Sequence, residues 1–317
     1  MSSNDAIDLA IVLEMPEVSL TYYTPPYVAH YWPDPADHAG HLASPIAKRI
    51  RAVQTNGSFG FKRNDMDALP ALEIIAIVGA GFEGVDLAAA RERGIVVTYG
   101  AGVNASAVAE QAWALLLATV HEVPLRDRGV RDGRWKELKS PLPNITGRKL
   151  GIFGLGHIGK AMSRRGVGFE MEIGYFSRTR QHDDPYRCFD RLVDLAAWCD
   201  VLMVAAPGGP GTYHAVNADV LEALGPRGYV VNIARGTIVD SDALIDALRE
   251  GRIAGAGLDV VEGEPAVPPA LAGDPRVVWS PHIGGHSPDA ITAMVRKVRA
   301  NLDAHFAGHP VLSPVPG

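Results

Sequence analysis

Lys149-Leu-Gly-Ile-Phe-Gly-Leu-Gly-His-Ile-Gly159 decides the reading of the chain. Leu150 to Phe153 is an apolar strand that runs into Gly154, Gly156 and Gly159, spaced G-x-G-x-x-G. A helix is predicted from His157 to about Phe169. Gly154 permits a tight turn, Gly156 lets backbone approach a pyrophosphate, and Gly159 lets helix pack close on strand. The helix N-terminus offers free N–H groups and a positive dipole end to phosphate. A glycine triplet alone is a weak signal. Set between a strand and a helix, it points to dinucleotide binding rather than a structural turn.

The strand after this unit, Glu172 to Phe176, ends where cofactor choice is made. An acidic residue there would bind the ribose 2′-hydroxyl of NAD. The sequence instead reads Ser177-Arg178-Thr179-Arg180. Arg178 and Arg180 can pair with a 2′-phosphate, and Ser177 and Thr179 can donate to it. The competing reading is a solvated basic loop. The mechanism favours NADP(H), with NAD(H) as the alternative.

Further strands follow with regular spacing: Asp200 to Ala206, Tyr229 to Ala234, Ala256 to Val261 and Val277 to Ser280. Between them, Tyr213 to Leu224 and a segment capped by Asp240 and closed at Gly251 are predicted helices. Ser287-Pro288 opens a last helix to about Phe306, with Ser as N-cap and Pro at its first position.

Upstream, the first hundred residues form a smaller α/β unit. Ile7 to Leu13 is a strand, interrupted by Asp8. Tyr22 to His41 is rich in Pro, Tyr and His. His30, Asp34, Asp37, His38 and His41 invite a metal reading, but the prolines break any helix that would align them, so a surface loop and no metal site are expected. Ala52 to Thr55 and the almost wholly apolar Leu72 to Val78 are strands, the second suited to the centre of a parallel sheet. Helices are expected at Met66 to Leu69 and Leu87 to Arg93, and a strand at Ile95 to Thr98. Ligands bind beyond the carboxyl ends of such strands. Asn56-Gly57-Ser58 and Val78-Gly79-Ala80-Gly81 stand there, and their N–H groups could hold a carboxylate. Plain turn glycine fits them equally well. Asn104 to Glu122 is a helix apolar on most of its circumference, expected to be buried between domains or subunits. A more charged helix, Leu125 to Trp135, follows it.

Bulk composition narrows the class. With 317 residues, about two domains are expected. Hydrophobic residues make up 47% and charged residues 21%, an ordinary globular balance. A net charge of -6 argues against a sequence-independent nucleic-acid binder. The two cysteines, Cys188 and Cys199, give neither a disulfide framework nor zinc spacing, and a reducing, cytoplasmic compartment is expected. No signal peptide and no apolar run long enough to span a bilayer is found, so no membrane partner is expected.

Three polar residues each follow a separate strand of the glycine-rich domain: Arg235, Glu264 and His282. Alone, each has a bland reading: a surface cap, a loop charge, an imidazole beside a proline turn. Together they supply what reduction of a 2-keto acid requires. A guanidinium binds a carboxylate through two parallel hydrogen bonds and polarises the neighbouring ketone. An imidazolium donates a proton to the oxygen as hydride reaches the carbon. A carboxylate beside an imidazole orients it and favours its charged form.

At these residues the chain resembles the D-isomer-specific 2-hydroxyacid dehydrogenases, over nearly its whole length. The resemblance rests on Gly154-Leu-Gly-His-Ile-Gly159, Val231-Asn-Ile-Ala-Arg-Gly236, Gly257-Leu-Asp-Val-Val-Glu-Gly-Glu-Pro265 and Pro281-His-Ile-Gly-Gly285, in that order. It implies a fold of two domains. A Rossmann-type dinucleotide-binding domain would span 102–286, and a flavodoxin-like substrate-binding domain would be discontinuous, 1–101 and 287–317. It implies catalytic Arg235, Glu264 and His282, with His282 as proton donor in reduction and base in oxidation. It implies Asp259 near the nicotinamide carboxamide, and a cofactor site completed by Leu155, His157, Ile158, Ala206, Pro207, Ile233, Ala234 and Gly284. Substrate binding by Asn56, Val78, Gly79 and Ala80, with Arg235 and His282, belongs to the same set. The partner is then a small 2-keto or 2-hydroxy acid, and the assembly a homodimer to which Asn104 to His121 contributes.

Tyr175-Phe-Ser-Arg-Thr179 looks like the NADPH-preferring glyoxylate/hydroxypyruvate reductase and hydroxyphenylpyruvate reductase branch. His157 stands where that branch often has Arg, and Gly285-His286-Ser287 departs from its commoner small-residue pattern. Glu264 argues against a formate dehydrogenase, where glutamine has that role. The expected activity is reduction of glyoxylate or hydroxypyruvate, with an aryl pyruvate as the alternative. A reading from another class is a dinucleotide-sensing interaction protein, as the related corepressors are. Those add partner-binding tails, and this chain starts its first strand near Ile7 and ends six residues after Val311, so the enzyme reading is favoured.

Overall fold

Ile74-Ile-Ala-Ile-Val78 carries no polar side chain, which suits a strand covered on both faces. In the computed structural model, which describes residues 6–180 and 184–316, it is the strand β4. The chain divides into two units, one of residues 1–104 and 286–317, the other of residues 105–285.

The first unit holds β1 (Ile7–Ile11), β2 (Tyr27–Tyr31), β3 (Ile50–Asn56), β4 (Ile74–Val78) and β5 (Val96–Thr98). All pair in parallel in the order β2-β1-β3-β4-β5. Strand order therefore reverses between β1 and β3, the flavodoxin-like arrangement. The helix Pro288–Phe306 belongs here and packs Val295, Val298 and Leu302 against Ile74 and Ala76. Ser287 caps it, accepting from the Ala290 N–H at 3.1 Å.

The second unit holds β6 (Lys149–Phe153), β7 (Glu172–Phe176), β8 (Arg187–Phe189), β9 (Val201–Val204), β10 (Tyr229–Asn232), β11 (Gly255–Leu258) and β12 (Val277–Trp279). The order β12-β11-β10-β9-β6-β7-β8 is parallel throughout. The chain runs outward through β6, β7 and β8, then returns to β9. The reversal between β6 and β9 is where a doubly wound sheet opens its ligand crevice. Both faces are covered, so β9 and β10 are buried along their whole length.

The helix Ala105–Val120 is a core helix of this unit. Val108, Ala112, Leu115 and Leu116 join one cluster with Val201, Met203 and Val231. Trp113 donates its Nε1–H to the Met162 carbonyl at 3.2 Å. Its apolar circumference is largely used by its own sheet and by the helix His157–Gly168.

Other expectations change. The stretch Tyr22 to His41 is not an irregular loop, because Tyr27–Tyr31 adds to the sheet edge beside β1. Its histidines go to different partners. His30 Nε2 lies 2.7 Å from Asp8, His38 Nε2 3.4 Å from Asp65, and His41 stacks on Trp32. Asp8, the charge inside β1, is buried and also pairs with Arg49 at 3.0 Å. Among the described residues no group of three metal-ligating side chains converges. The helix expected from Tyr213 starts only at Ala218 (Ala218–Leu224), because His214 sits at φ 49°, outside the helical region. The helix expected to reach Trp135 ends at Arg131. The strand Arg187–Phe189 and the helix Leu192–Trp198 carried no expectation.

Candidate active site

The glycine loop joins β6 to the helix His157–Gly168. Gly154 lies at φ 99°, and a Cβ there would come within 2.6 Å of the Ala206 nitrogen, so the loops ending β6 and β9 touch backbone to backbone. A Cβ on Gly159 would collide with the Gly154 carbonyl oxygen. At Gly156, the N-cap, a Cβ would meet nothing within 4 Å. The first turn of the helix therefore presents open space and free N–H groups, which fits a pyrophosphate. Leu155 is buried beneath the loop, His157 is exposed and Ile158 half-buried. Ala206, Ile233 and Ala234 are buried and Pro207 exposed, all just past strand ends.

Arg235, Glu264 and His282 follow β10, β11 and β12. His282 Nδ1 is 2.6 Å from Glu264 Oε1. A carboxylate only accepts, so Nδ1 carries the hydrogen and Nε2 is left for another partner. His282 takes a left-handed backbone, φ 54°, held by its N–H donating to the carbonyls of Asp259 (2.8 Å) and Ser280 (3.1 Å). Both His282 and Glu264 side chains are partly open, 39% and 38% exposed.

Asp259 is buried, and its carboxylate gathers the histidine loop. Oδ1 accepts from Ser280 Oγ at 2.5 Å and the Ile283 N–H at 3.0 Å, and Oδ2 from the Gly284 N–H at 2.9 Å. Asn232, also buried, does the same for the arginine loop. Its Nδ2 donates to the Arg235 carbonyl at 3.0 Å, and its Oδ1 accepts from the Ala234 N–H at 3.1 Å. The Asp259 N–H donates to the Asn232 carbonyl at 2.9 Å, so the two loops share one backbone network. Arg235 itself is half-buried and donates Nη1 to the Ala234 carbonyl at 2.7 Å.

A guanidinium, an imidazole–carboxylate pair and a glycine loop all follow strands of one parallel sheet. The family "D-isomer specific 2-hydroxyacid dehydrogenase, NAD binding domain" matches residues 113–284. The chain belongs to the D-isomer specific 2-hydroxyacid dehydrogenases. It is 41% identical over 286 residues to the hydroxyphenylpyruvate reductase of Plectranthus scutellarioides, covering 90% of this chain and 91% of that one. It is 42% identical over 267 residues to glyoxylate/hydroxypyruvate reductase A of Arabidopsis thaliana, covering 84% and 85%. Among solved structures, the NADPH-dependent glyoxylate/hydroxypyruvate reductase of Sinorhizobium meliloti, in complex with NADP and malonate, superposes with TM-score 0.90 at 38% identity, covering 98% of this chain and 96% of that one.

As a 2-hydroxyacid dehydrogenase the chain is an oxidoreductase acting on CH–OH groups and binding a nicotinamide dinucleotide. In its second unit, the segment after β7 is basic: Arg178, Thr179 and Arg180 are exposed and Ser177 half-buried. In its first unit, Asn56 and Val78 are register partners at the carboxyl ends of β3 and β4. Asn56 Oδ1 accepts from the N–H groups of Ser58 (3.0 Å) and Phe59 (2.7 Å), which folds the loop back on itself. Gly79, at φ 91°, and Ala80 continue the neighbouring loop. Sequence reasoning gave Asn232 no role. The signal was present in the Val231–Gly236 block: an amide closing a buried apolar strand needs partners, and the next loop provides them.

Proposed function

We propose that this dehydrogenase reduces glyoxylate and hydroxypyruvate to their 2-hydroxy acids, D-configured where the product is chiral, and prefers NADPH. The observation that carries the reading is the 2.6 Å His282–Glu264 pair beside the Arg235 loop. A reduced nicotinamide supplies the hydride when bound. Arg235 takes the substrate carboxylate and polarises the carbonyl. His282 gives its Nε2 proton to the carbonyl oxygen, while Glu264 fixes the ring and balances its charge. In oxidation the same nitrogen takes the hydroxyl proton. Asn56, Val78, Gly79 and Ala80 are assigned to substrate binding, with the Gly79 and Ala80 N–H groups as carboxylate donors. The glycine loop and the residues after β9 and β10 would hold the dinucleotide.

Arg178 and Arg180 support the choice of NADPH, since two exposed guanidinium groups and two hydroxyls suit a 2′-phosphate. The Sinorhizobium relative, described as NADPH-dependent, points the same way. The small acids are preferred because two of the relatives are named for them, and hydroxyphenylpyruvate is the second reading because the Plectranthus relative is named for it. A homodimer is part of the proposal. Val123, Leu125, Val130 and Trp135, just past the core helix, are apolar and exposed.

Arg235→Ala tests the mechanism. Keto-acid turnover should fall by about a thousandfold or more, with NADPH affinity unchanged, as for loss of a group that acts on the transition state. Turnover within a few-fold of the parent would overturn the assignment.

A further inference from the structure

His214 lies on no strand end and belongs to none of the groups assigned above. Its imidazole stands between two carboxylates from different loops. Nε2 is 2.9 Å from Glu262 Oε2, and Nδ1 is 3.5 Å from Asp240 Oδ2. Glu262 is two residues before Glu264. Asp240 closes the turn that begins at Arg235, and its other oxygen caps the helix Ser241–Arg249, accepting from Asp242 and Ala243 at 3.1 Å.

The backbone ties the same three segments together. The His214 N–H donates to the Thr237 carbonyl at 2.8 Å, Val216 to Ile238 at 3.0 Å, and Asp240 back to Val216 at 3.1 Å. A Cβ on Gly236 would collide with the Val261 carbonyl and the Glu262 nitrogen, so the turn after Arg235 lies directly on the segment before Glu264. Tyr213 stacks on the imidazole, ring centroids 3.9 Å apart and planes 14° from parallel. Glu262 also touches the Tyr213 phenol and, by its charge, raises the phenol's pKa above the ordinary value. His214 adopts φ 49°, a costly conformation outside glycine that persists where surrounding contacts over-determine it.

We infer that His214 is a positioning residue, a cross-brace that fixes the spacing between the loop of Arg235 and the loop of Glu264. One imidazole stands within reach of a carboxylate on each loop, Nε2 at Glu262 and Nδ1 at Asp240. The inference rests on the catalytic roles proposed for Arg235 and Glu264.

The test compares His214→Ala, Glu262→Ala and Glu262→Gln with the parent, by steady-state kinetics with NADPH and glyoxylate and by amide hydrogen exchange. The brace predicts that His214→Ala and Glu262→Ala each lower kcat/KM about tenfold or more, with NADPH affinity held within about twofold. Combining Glu262→Ala with His214→Ala should be no worse than His214→Ala alone, which already removes the Glu262 contact. Glu262→Gln keeps an oxygen acceptor for Nε2 and should restore most of the loss. Exchange at residues 236–239 should quicken about tenfold in His214→Ala, while the helix His157–Gly168 is unchanged. Additive losses, no rescue by glutamine, or exchange quickened uniformly across the unit would overturn the brace and leave only a structural contact. Absence of keto-acid turnover in the parent would overturn the proposed function instead, and the exchange comparison would still decide the brace.

Discussion

Asn232 and Asp259 hold the two halves of the candidate active site through one shared backbone bond. The Asp259 N–H donates to the Asn232 carbonyl at 2.9 Å, the Asn232 side chain grips the Arg235 loop, and the Asp259 carboxylate grips the His282 loop. Both side chains are buried. Each sets where the Arg235 or His282 loop begins.

Asn232→Ala should therefore act on stability and on substrate together. It leaves the Ala234 N–H without its side-chain partner and the Arg235 carbonyl with the Ile238 N–H alone, and an unpaired buried polar group costs about 1–3 kcal/mol. Chemical denaturation should show a loss in that range, and the KM for the keto acid should rise as Arg235 drifts. A stable variant with parental KM would mean the Arg235 loop is held by other contacts.

Glu264→Gln keeps an acceptor for the Nδ1–H of His282 but removes the negative charge. General acid–base catalysis contributes roughly 10²–10⁴-fold, and the substitution should forfeit about 10-fold to 100-fold in kcat, with NADPH affinity unchanged. Steady-state kinetics at neutral pH decides it. Parental kcat would show that only the orientation of the ring is needed.

Arg178→Asp places a carboxylate where a 2′-phosphate would lie. The ratio of kcat/KM for NADPH over NADH should fall by about 10-fold or more, since one charge-assisted contact is lost and a repulsion gained. An unchanged ratio would mean that the basic segment after β7 does not meet the cofactor.

Cys199 is buried, and desolvation pushes its thiol up to about 12 from an ordinary 9.0. The folded value lies above the unfolded one. The thiol's contribution to stability is thus complete below about pH 9 and is lost as pH rises through about 12. Iodoacetamide on the native protein at pH 8 should label the half-buried Cys188 and leave Cys199 untouched until the protein is unfolded. Equal labelling of both in the native state would contradict this burial.

What the sequence made legible was local. Strand β7 is legible residue for residue as Glu172 to Phe176, and so is the Ser287 cap, because apolar runs and caps announce themselves within a few residues. Strand β2 was hidden. Tyr27–Tyr31 is an edge strand with mostly uncovered side chains, lies among prolines, and exists through pairing with the distant β1. The start of the helix at Ala218 was hidden too, since the backbone of His214 answers to Thr237 rather than to its neighbours. In the site, the strand-end residues stood out by type, while Asn232 and His214 did not. Their roles come from loops brought together only by the fold.

The most direct measurement is nicotinamide oxidation followed by absorbance, with NADPH and then NADH, each with glyoxylate, hydroxypyruvate and hydroxyphenylpyruvate. The account predicts fast oxidation of NADPH with the two- and three-carbon acids, slower oxidation with NADH, and a D-configured product from hydroxypyruvate. Turnover confined to the aryl acid would move the substrate to the second reading. No turnover with any pair, in protein that binds NADPH, would contradict the account.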